Sequence, residues 1–427
     1  MQLDVLKGYD YPMKKLALYP RFTEPHLVEA LEDSPVVLIH GPRQCGKTTL
    51  AQVVGERLGY TYFSFDDEVV RGAAEADPAG FVDDLPDRII LDEVQRVPEL
   101  FLSIKSAVDR DRVPGKFLLT GSTNLFLIPQ LTDSLAGRMQ IQRLHPLAQA
   151  ELNRQETGFL DALFGGDFNV HSMPRLAGVL MEKIIAGGYP AALARPGGRR
   201  RTTWYRDYMD AIVQRDVRDF SRIRSLSALP RLLAMGASQT AQLLNVTNLA
   251  SSFQLSRPTI QDYLTLLERV FLIDLLPPWH SNRLRRLIKT PKLHLTDTGL
   301  ASAMLVTSAL DLKTDRTLLG SLMETFVFQE IRRQASWHDE AHSFFHYRDK
   351  DGAEVDIVIE RGVTALAGVE VKAGATVRSA DFRGLRKLRE ATGQKFRAGV
   401  VIYDGETCAS FGDRLYAVPC KLLWETE

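Results

Sequence analysis

The feature that most constrains this 427-residue chain is the segment Gly41-Pro-Arg-Gln-Cys-Gly-Lys-Thr48, which fits the pattern G-x-x-x-x-G-K-[ST] at every fixed position. A short apolar run at residues 36–39 precedes it, as expected of a strand that is buried on both faces. Apolar residues recur at helical spacing from 48 to 58, and Gly59 stands where a helix would end. The sequence therefore predicts a strand, a glycine-rich loop and a helix, an arrangement typical of a nucleotide-binding loop.

The chemistry of this loop follows from its backbone. Gly41 and Gly46 permit conformations in which successive N–H groups point inward, and the helix N-terminus adds positive potential, so the loop suits phosphate. Lys47 would reach the β and γ phosphates, and the Thr48 hydroxyl would bind Mg²⁺. The alternative is a chance glycine turn. We expect ATP and Mg²⁺ as cofactors, with nucleotide contacts from the loop residues Gly41, Pro42, Arg43, Gln44, Cys45, Gly46, Lys47, Thr48 and Thr49.

A second informative stretch is Arg88-Ile-Ile-Leu-Asp-Glu93, in which three large aliphatic residues are followed by two acids. This is a Walker B pattern, read as a buried strand with carboxylates at its carboxyl end. Asp92 would hold the Mg²⁺, and Glu93 would orient or deprotonate the attacking water. The alternative is a strand that ends in a solvated acidic turn. The phosphate loop upstream favours the catalytic interpretation.

A third strand is predicted at residues 117–120, followed by Gly121-Ser-Thr-Asn124. Ligands of open α/β sheets lie at the carboxyl ends of the strands, so polar side chains at this tip would lie beside the nucleotide. Either Ser122 or Asn124 would then contact the γ-phosphate, and the sequence does not choose between them.

The order of these segments resembles that of the AAA+ ATPases. More narrowly, Leu91-Asp-Glu-Val-Gln-Arg96, Leu119-Thr-Gly-Ser122 and Ser134-Leu-Ala-Gly-Arg138 look like a bacterial and archaeal family that joins an AAA+ core to a C-terminal domain of unknown function. The resemblance implies a homo-oligomer, for which a hexamer is one arrangement. It also implies that Arg138 enters the site of a neighbouring subunit, where a guanidinium offsets charge on the γ-phosphoryl group. The alternative for Arg138 is a surface arginine in an ion pair.

The middle of the chain is mainly helical and contains a pattern that resembles a helix-turn-helix. A short helix is predicted at 249–253, and Ser256 would cap a second helix with Pro258 in its first turn. Residues 271–275 would form a wing strand. Near the start of the second helix Arg257, Thr259 and Gln261 would face outward, where contacts to DNA are made. The alternative is a module that only packs against neighbouring domains.

A cationic run follows the predicted wing strand, and no acid interrupts it. Its residues are Arg283, Arg285, Arg286, Lys289 and Lys292. Beside a helix-turn-helix such a run predicts phosphate contacts to DNA, and a solvated linker is the alternative.

The C-terminal residues return to an α/β pattern. A helix is predicted at 318–334, and strands at 343–347, 354–360 and 366–372. Asp356, then Glu370 and Lys372 on the next strand, fit the signature of the PD-(D/E)xK nucleases, and Glu324 is placed like that family's helical acid. The resemblance implies that Glu324, Asp356 and Glu370 bind Mg²⁺ while Lys372 orients a hydroxide. The alternative is a nuclease-like fold that only binds.

Composition sets wider limits. Lys and Arg together number 53, as do Asp and Glu, so any DNA would be met by local patches rather than by overall charge. Three scattered cysteines and the lack of a long apolar run favour a cytoplasmic protein without membrane contact. We expect an α/β fold with an AAA+ P-loop core at 1–148, a helical and winged-helix region at 149–310 and a nuclease-like domain at 311–427.

Two functions fit these patterns. The first is an ATP-hydrolysing protein that acts on DNA, with Mg²⁺-dependent cleavage as an added activity. The second is a nucleotide-switched scaffold that binds DNA or protein through an inactive nuclease-like domain.

Overall fold

The structure is a computed structural model that describes residues 18–122, 135, 137–220, 228–282, 286 and 290–425, without the side chains of 214–220. Within these ranges no helix is both long enough and apolar enough to cross a bilayer.

The N-terminal part is an α/β unit. Its described strands are β1 (Val36–His40), β2 (Thr61–Ser64), β3 (Ile89–Asp92), β4 (Phe117–Gly121) and β5 (Met139–Arg143), and its described helices are α1 (Glu24–Asp33), α2 (Lys47–Leu58), α3 (Glu68–Ala76), α4 (Pro78–Asp83) and α5 (Leu100–Arg110). The strands form one parallel sheet in the order β2-β3-β4-β1-β5. β1, β3 and β4 are buried along their whole length, as their apolar runs predict.

Helices cover both faces of this sheet. Apolar side chains of α1 and α2 pack on one face, and those of α3, α4 and α5 pack on the other. In a parallel sheet the carboxyl ends of the strands meet at one edge. That edge brings together the loop after β1, the acids at the end of β3 and Ser122 after β4.

The middle of the chain is mainly helical. Its described elements are α6 (Gln149–Asn153), α7 (Phe159–Gly165), β6 (His171–Ser172), α8 (Gly178–Ala186), α9 (Pro190–Leu193), α10 (Arg199–Phe220), α11 (Ala228–Ser238), β7 (Gln242–Leu243), α12 (Val246–Phe253), α13 (Arg257–Arg269), β8 (Ile273–Leu276), β9 (Lys292–Leu295) and α14 (Thr298–Met304). Strands β7, β9 and β8 form a three-stranded antiparallel sheet. The two predicted helices are present as α12 and α13, and the hydroxyl of Ser256 caps α13 by accepting from the Thr259 N–H at 3.2 Å.

The C-terminal part is again α/β. Its described elements are α15 (Ala309–Thr314), α16 (Arg316–Ala335), β10 (His342–Arg348), β11 (Glu354–Arg361), β12 (Ala365–Lys372), α17 (Arg383–Thr392), β13 (Phe396–Tyr403), β14 (Thr407–Ser410) and β15 (Leu415–Pro419). They build a seven-stranded sheet in the order β10-β11-β12-β13-β15-β14-β6. The predicted strands at 354–360 and 366–372 are present as β11 and β12, which pair as an antiparallel hairpin. The edge strand β6 comes from the helical middle region and pairs with β14.

The hydrophobic core decides how these parts relate. One continuous cluster of buried side chains runs from Ala150 through the middle helices to Trp424. The middle region and the C-terminal sheet therefore share a core, whereas the N-terminal sheet has its own cores on its two faces.

Candidate functional site

The loop between β1 and α2 depends on two glycines, one for its backbone conformation and one for its close packing. Gly46 adopts φ +106°, a left-handed conformation that side chains disfavour. Gly41 approaches the backbone so closely that a Cβ there would overlap the carbonyl oxygen of Leu144, just beyond β5. Close packing therefore requires glycine at position 41, and the backbone conformation favours it at position 46.

Hydrogen bonds hold the loop from several directions. Arg21 donates from Nη1 to the Cys45 carbonyl at 2.9 Å, and the Tyr208 hydroxyl of α10 donates to the Arg43 carbonyl at 3.1 Å. The buried ammonium of Lys47 donates to the carbonyls of Gly41 at 3.1 Å and Pro42 at 2.9 Å. Four carbonyls of the loop therefore have donors, which fixes the backbone. Arg21 and Tyr208 were not predicted, because neither lies near the motif in sequence.

The remaining predicted loop residues differ in exposure. Gln44 and Thr49 are exposed, Arg43 is half-buried, and Cys45 is fully buried. Burial raises the pKa of the Cys45 thiol, whose sulfur lies 3.6 Å from the Leu144 carbonyl. Cys45 can therefore meet a nucleotide only through its backbone.

A hydroxyl and a carboxylate meet beside the loop. The Thr48 Oγ1 donates to Asp92 Oδ1 at 2.9 Å, and the Tyr62 hydroxyl donates to Asp92 Oδ2 at 2.9 Å. Thr120 also bonds Asp92 Oδ1 from the end of β4. Mg²⁺ prefers oxygen ligands and uses one or two carboxylates besides water and phosphate. Thr48 and Asp92 fit such an ion, and Tyr62 is a partner that the sequence motif does not reveal.

Glu93 follows Asp92 in a strained position. Its φ of +58° is left-handed, and its N–H donates to Thr120 Oγ1 at 3.1 Å. Its Oε2 accepts from Ser122 Oγ at 2.8 Å and from the Gln95 amide. Burial alone would raise the pKa of Glu93, but the Lys47 charge and these two hydrogen bonds bring it below its usual value. The carboxylate is therefore ionised and able to accept a proton.

Of the two residues predicted to contact the γ-phosphate, Ser122 and Asn124, the structure describes only Ser122. Ser122 is buried and bonds Glu93, with the Gln95 amide nitrogen 2.9 Å from its Oγ. Asn124 lies outside the described residues. Gln95 was not predicted, although it stands two residues after Glu93 in the segment Leu91-Asp-Glu-Val-Gln-Arg96.

Arg138 lies at the amino ends of the strands, at the opposite end of the sheet from the phosphate loop. It directly precedes β5, and its Nε donates to Asp109 Oδ1 at 2.5 Å. Five residue steps along β5, roughly 16 Å, separate Arg138 from the carboxyl end of the sheet, which carries the phosphate loop. Within one subunit it is an ion-paired surface arginine, and its entry into a neighbour's site stays a prediction.

The residues predicted to meet DNA are placed as follows. Arg257 and Gln261 are exposed on α13, whereas Thr259 is half-buried and bonds the capping Ser256 at 2.8 Å. In the cationic run, Arg286 pairs with Glu360 through two hydrogen bonds of 2.8 Å, and Lys292 is buried. These two cations therefore form internal contacts and are not a phosphate-binding surface. The other three cations of the run lie outside the described residues.

We use the name acid cluster for Glu324 on α16, Asp356 on β11 and Glu370 on β12. The Lys292 ammonium donates to Glu324 Oε1 at 2.7 Å and to Asp356 Oδ1 at 3.0 Å. Asp356 Oδ2 accepts from the Val371 N–H at 2.9 Å. Glu370 Oε1 accepts from Lys372 at 2.8 Å, and its buried Oε2 has no hydrogen-bond partner among the described residues.

The carboxylates of the acid cluster shift one another's pKa. Burial and then the Asp356 charge raise the pKa of Glu370 to about 8 and the pKa of Glu324 well above its usual value. Burial would raise the pKa of Asp356 too, but Lys292 and the Val371 N–H lower it. In the described part of the chain, no group of three His, Cys, Asp or Glu side chains is placed to hold a metal ion. As arranged, the cluster fits an ammonium group rather than Mg²⁺.

Comparison with protein families gives matches for three successive segments. Residues 33–153 match a family described as an AAA domain. Residues 179–311 and 319–423 match two families described as domains of unknown function, DUF8612 and DUF4143. Together with the loop geometry, the first match identifies an AAA-type P-loop ATPase domain, a class that binds nucleotides.

Two curated relatives align with nearly the whole chain. The uncharacterized proteins Rv2008c of Mycobacterium tuberculosis and Mb2031c of Mycobacterium bovis are each 27% identical over 402 residues, which cover 94% of this chain and 83% of theirs. Among solved structures, the Walker-type ATPase PABY2304 of Pyrococcus abyssi is 15% identical, covers 67% of this chain and 96% of that chain, and has a TM-score of 0.44. The RuvB Holliday junction branch migration motor of Thermotoga maritima is 18% identical, covers 61% of this chain and 90% of that chain, and has a TM-score of 0.28.

Proposed function

We propose that this protein hydrolyses ATP in a Mg²⁺-dependent reaction and that the ATPase cycle acts on DNA. The observation that carries the first part is the arrangement at the end of β3. There Asp92 bonds Thr48 of the phosphate loop, and the next residue, Glu93, has its pKa lowered by the Lys47 charge and by hydrogen bonds from Ser122 and Gln95. A nucleotide-binding site without hydrolysis would need only the first of these carboxylates.

The residues divide the work of hydrolysis. A bound Mg²⁺ would offset the negative charge that develops on the phosphate oxygens during transfer. Thr48 and Asp92 would hold that ion, and Lys47 would exchange the carbonyls of Gly41 and Pro42 for phosphate oxygens. Glu93 would accept a proton from the attacking water. Arg138 of a partner subunit would complete the site.

Substitution of Lys47 tests the proposed ATPase. Lys47→Ala should lose ATP turnover, because the ammonium is the only lysine charge within the loop itself. Lys387→Ala, at an exposed lysine of α17 whose ammonium lies 3.4 Å from Glu390, is the matched control and should keep full turnover. Undiminished turnover by Lys47→Ala would rule out this loop as the hydrolytic site.

The proposal of a DNA substrate rests on α12 and α13 with the antiparallel strands β8 and β9, which together favour a winged helix-turn-helix. Arg257 and Gln261 are exposed near the start of α13, where such domains contact DNA. ATP turnover should therefore rise with duplex DNA.

Arg257→Ala should weaken duplex binding and lower the slope of log affinity against log salt by about one. Arg383→Ala, at an exposed arginine of α17, should change neither. Equal effects of the two substitutions would count against α13 as the DNA-binding surface.

For the C-terminal domain we favour a nuclease-like module that binds without cutting, because Lys292 bonds two of the three acids. Wild-type protein should leave plasmid DNA intact in the presence of Mg²⁺. If wild-type protein nicks the plasmid and Asp356→Ala does not, the domain is a nuclease after all.

The same proposal includes a homo-oligomer, with a hexamer as one arrangement, and a cytoplasmic location. It also keeps the division into residues 1–148, 149–310 and 311–427. The family matches at 179–311 and 319–423 support a division near residue 311.

A further inference from the structure

The acid cluster draws its counter-charge from a distant part of the chain. Glu324 lies on α16 and Asp356 on β11 of the C-terminal sheet, while Lys292 lies on β9 of the three-stranded sheet. The lysine is separated from the two acids by 32 and 64 residues in sequence. Its contacts therefore join the middle region to the C-terminal sheet across their boundary.

Lys292 hydrogen-bonds one carboxylate oxygen of Glu324 and one of Asp356. Its ammonium lies 2.7 Å from Glu324 Oε1 and 3.0 Å from Asp356 Oδ1, distances of charge-assisted hydrogen bonds. The Lys292 side chain is 6% exposed, so its ammonium is shielded from solvent where it bonds the two carboxylates. A divalent ion between the same two oxygens would require the ammonium to leave, because both cannot occupy that position.

Electrostatics favours a cation at this position. Two carboxylates buried side by side without a counter-charge are strongly destabilising, and a buried cation with hydrogen bonds to both relieves this. Nearby His294 and His346 are also buried. Burial and then the Lys292 charge lower the pKa of both rings, so these histidines are neutral and do not supply the positive charge. Lys372 also carries a charge that lowers the pKa of Asp356, but its ammonium hydrogen-bonds Glu370. Lys292 is the cation whose hydrogen bonds reach both Glu324 and Asp356 among the described residues.

We propose that Lys292 is a built-in cation of the acid cluster, which takes the place of a divalent metal ion and fastens β9 to the C-terminal sheet. The three carboxylates are not placed to hold a metal ion as they stand. A divalent ion would therefore bind only if Glu324, Asp356 and Glu370 Oε2, which has no hydrogen-bond partner among the described residues, closed on it after Lys292 had left. The site becomes available only when Lys292 is replaced or withdrawn. This inference concerns the C-terminal cluster and does not depend on ATP hydrolysis.

Binding of Mn²⁺ to nucleotide-free, full-length protein tests the proposal. Asp92→Asn serves as the background, because it removes the carboxylate of the nucleotide site. This protein should bind no Mn²⁺ stoichiometrically by calorimetry or electron paramagnetic resonance. Adding Lys292→Met, which keeps the length of the side chain without its charge, should create one Mn²⁺ site per chain. Adding Asp356→Asn to that variant should remove the site again.

The control is Lys387→Met in the same background, which should create no site. Stoichiometric Mn²⁺ binding that is present with Lys292 in place and lost in Asp356→Asn would overturn the proposal. Failure of the Lys292→Met variant to bind Mn²⁺ while folded would overturn it equally.

Stability supplies a second readout if the Lys292→Met variant does not fold. In that case Mn²⁺ should restore folding, measured as a higher melting temperature, because the metal replaces the missing ammonium. Combining Lys292→Met with Glu324→Gln and Asp356→Asn should restore folding without metal, since no buried charge is then left unpaired. Failure of both rescues would show that Lys292 has some other role.

Discussion

At the scale of single residues, Glu93 shows how a site tunes a general base. Its left-handed backbone aims the side chain toward β4, where Ser122 donates to Oε2 at 2.8 Å. A general base must be unprotonated at working pH, and each hydrogen bond to the ionised form favours that state. Glu93→Gln should therefore keep ATP binding and lower kcat by about 10²-fold or more.

Replacing Ser122 tests the tuning itself. Ser122→Ala removes one donor to Glu93 and should raise the pKa of that carboxyl group. Because activity requires ionised Glu93, the acidic limb of the kcat profile should move to higher pH, while the alkaline limb stays in place. A uniform loss at every pH, measured by steady-state ATPase assays, would show that Ser122 acts on the phosphate and not through Glu93.

Asp297 is a residue for which the sequence offered no role. The structure places it fully buried at the start of α14, where it accepts from the N–H groups of Gly188, Gly299 and Leu300. The Tyr205 hydroxyl at 3.0 Å and the Arg333 guanidinium at 3.2 Å complete its partners. One carboxylate thus joins four segments of the chain.

Removing this carboxylate should be costly. Asp297→Ala leaves the buried charge of Arg333 without one of its partners and should lower the free energy of unfolding by about 3–5 kcal/mol. Asp315→Ala is the matched control and should cost about 1 kcal/mol, because the Asp315 side chain is exposed and its one hydrogen bond among the described residues caps α16 through the Leu318 N–H. Urea unfolding measures both, and equal effects would mean that the Asp297 network contributes little beyond a cap.

At the scale of elements, α10 links the phosphate loop to this network. Its Tyr208 bonds the Arg43 carbonyl of the loop and lies 3.1 Å from the Tyr189 hydroxyl, while Tyr205 one turn earlier bonds Asp297. The rings of Trp204 and Tyr208 stack 5.1 Å apart. The helix therefore positions the loop from outside the nucleotide-binding domain.

Loss of the Tyr208 hydroxyl should weaken ATP binding. Tyr208→Phe keeps the stacked ring but removes one hydrogen bond to the loop, a change worth about 1 kcal/mol or roughly fivefold in Kd. Tyr189→Phe leaves the bond between Tyr208 and Arg43 intact and should bind ATP like wild type. Titration with a fluorescent ATP analogue measures the Kd of both variants. Weaker binding by Tyr189→Phe alone would show that Tyr189, and not Tyr208, supports the loop.

Elements differed in how well the sequence predicted them. β1, β3 and β4 were predicted because central strands of a parallel sheet are apolar throughout. β5 was not, because this edge strand reads Met-Gln-Ile-Gln-Arg and is only partly buried. The short strand β6 has two residues, too few for any sequence pattern, and it is a strand because it pairs with β14.

At the scale of the whole molecule, the proposed assembly can be tested through Arg138. It lies at the amino end of the sheet, away from its own phosphate loop, so a catalytic role requires a second copy. Arg138→Ala and Lys47→Ala should each be inactive alone. Mixing the two should recover part of the ATP turnover, because some interfaces then combine an intact loop with an intact arginine.

The control for this mixing experiment is Arg112→Ala, whose guanidinium donates nearby to the Gly137 carbonyl at 2.9 Å. This variant should remain active alone. Full turnover by Arg138→Ala would assign the arginine to its ion pair with Asp109 instead. An inactive Arg138→Ala that no mixture rescues would place its role within one subunit.

The sequence by itself determined the phosphate loop, the acids of β3 and the hairpin that carries Asp356 and Glu370. These features depend on local spacing, since glycine freedom, strand alternation and short loops act over a few residues. The tertiary structure decided which distant groups complete them. Tyr208 reaches the loop from 165 residues away, and Lys292 reaches Asp356 from 64 residues away. Such pairings follow from how sheets and helices pack, and no local pattern encodes them. The same run of cations that predicted a DNA surface thus supplied, at Lys292, the internal counter-charge of the acid cluster.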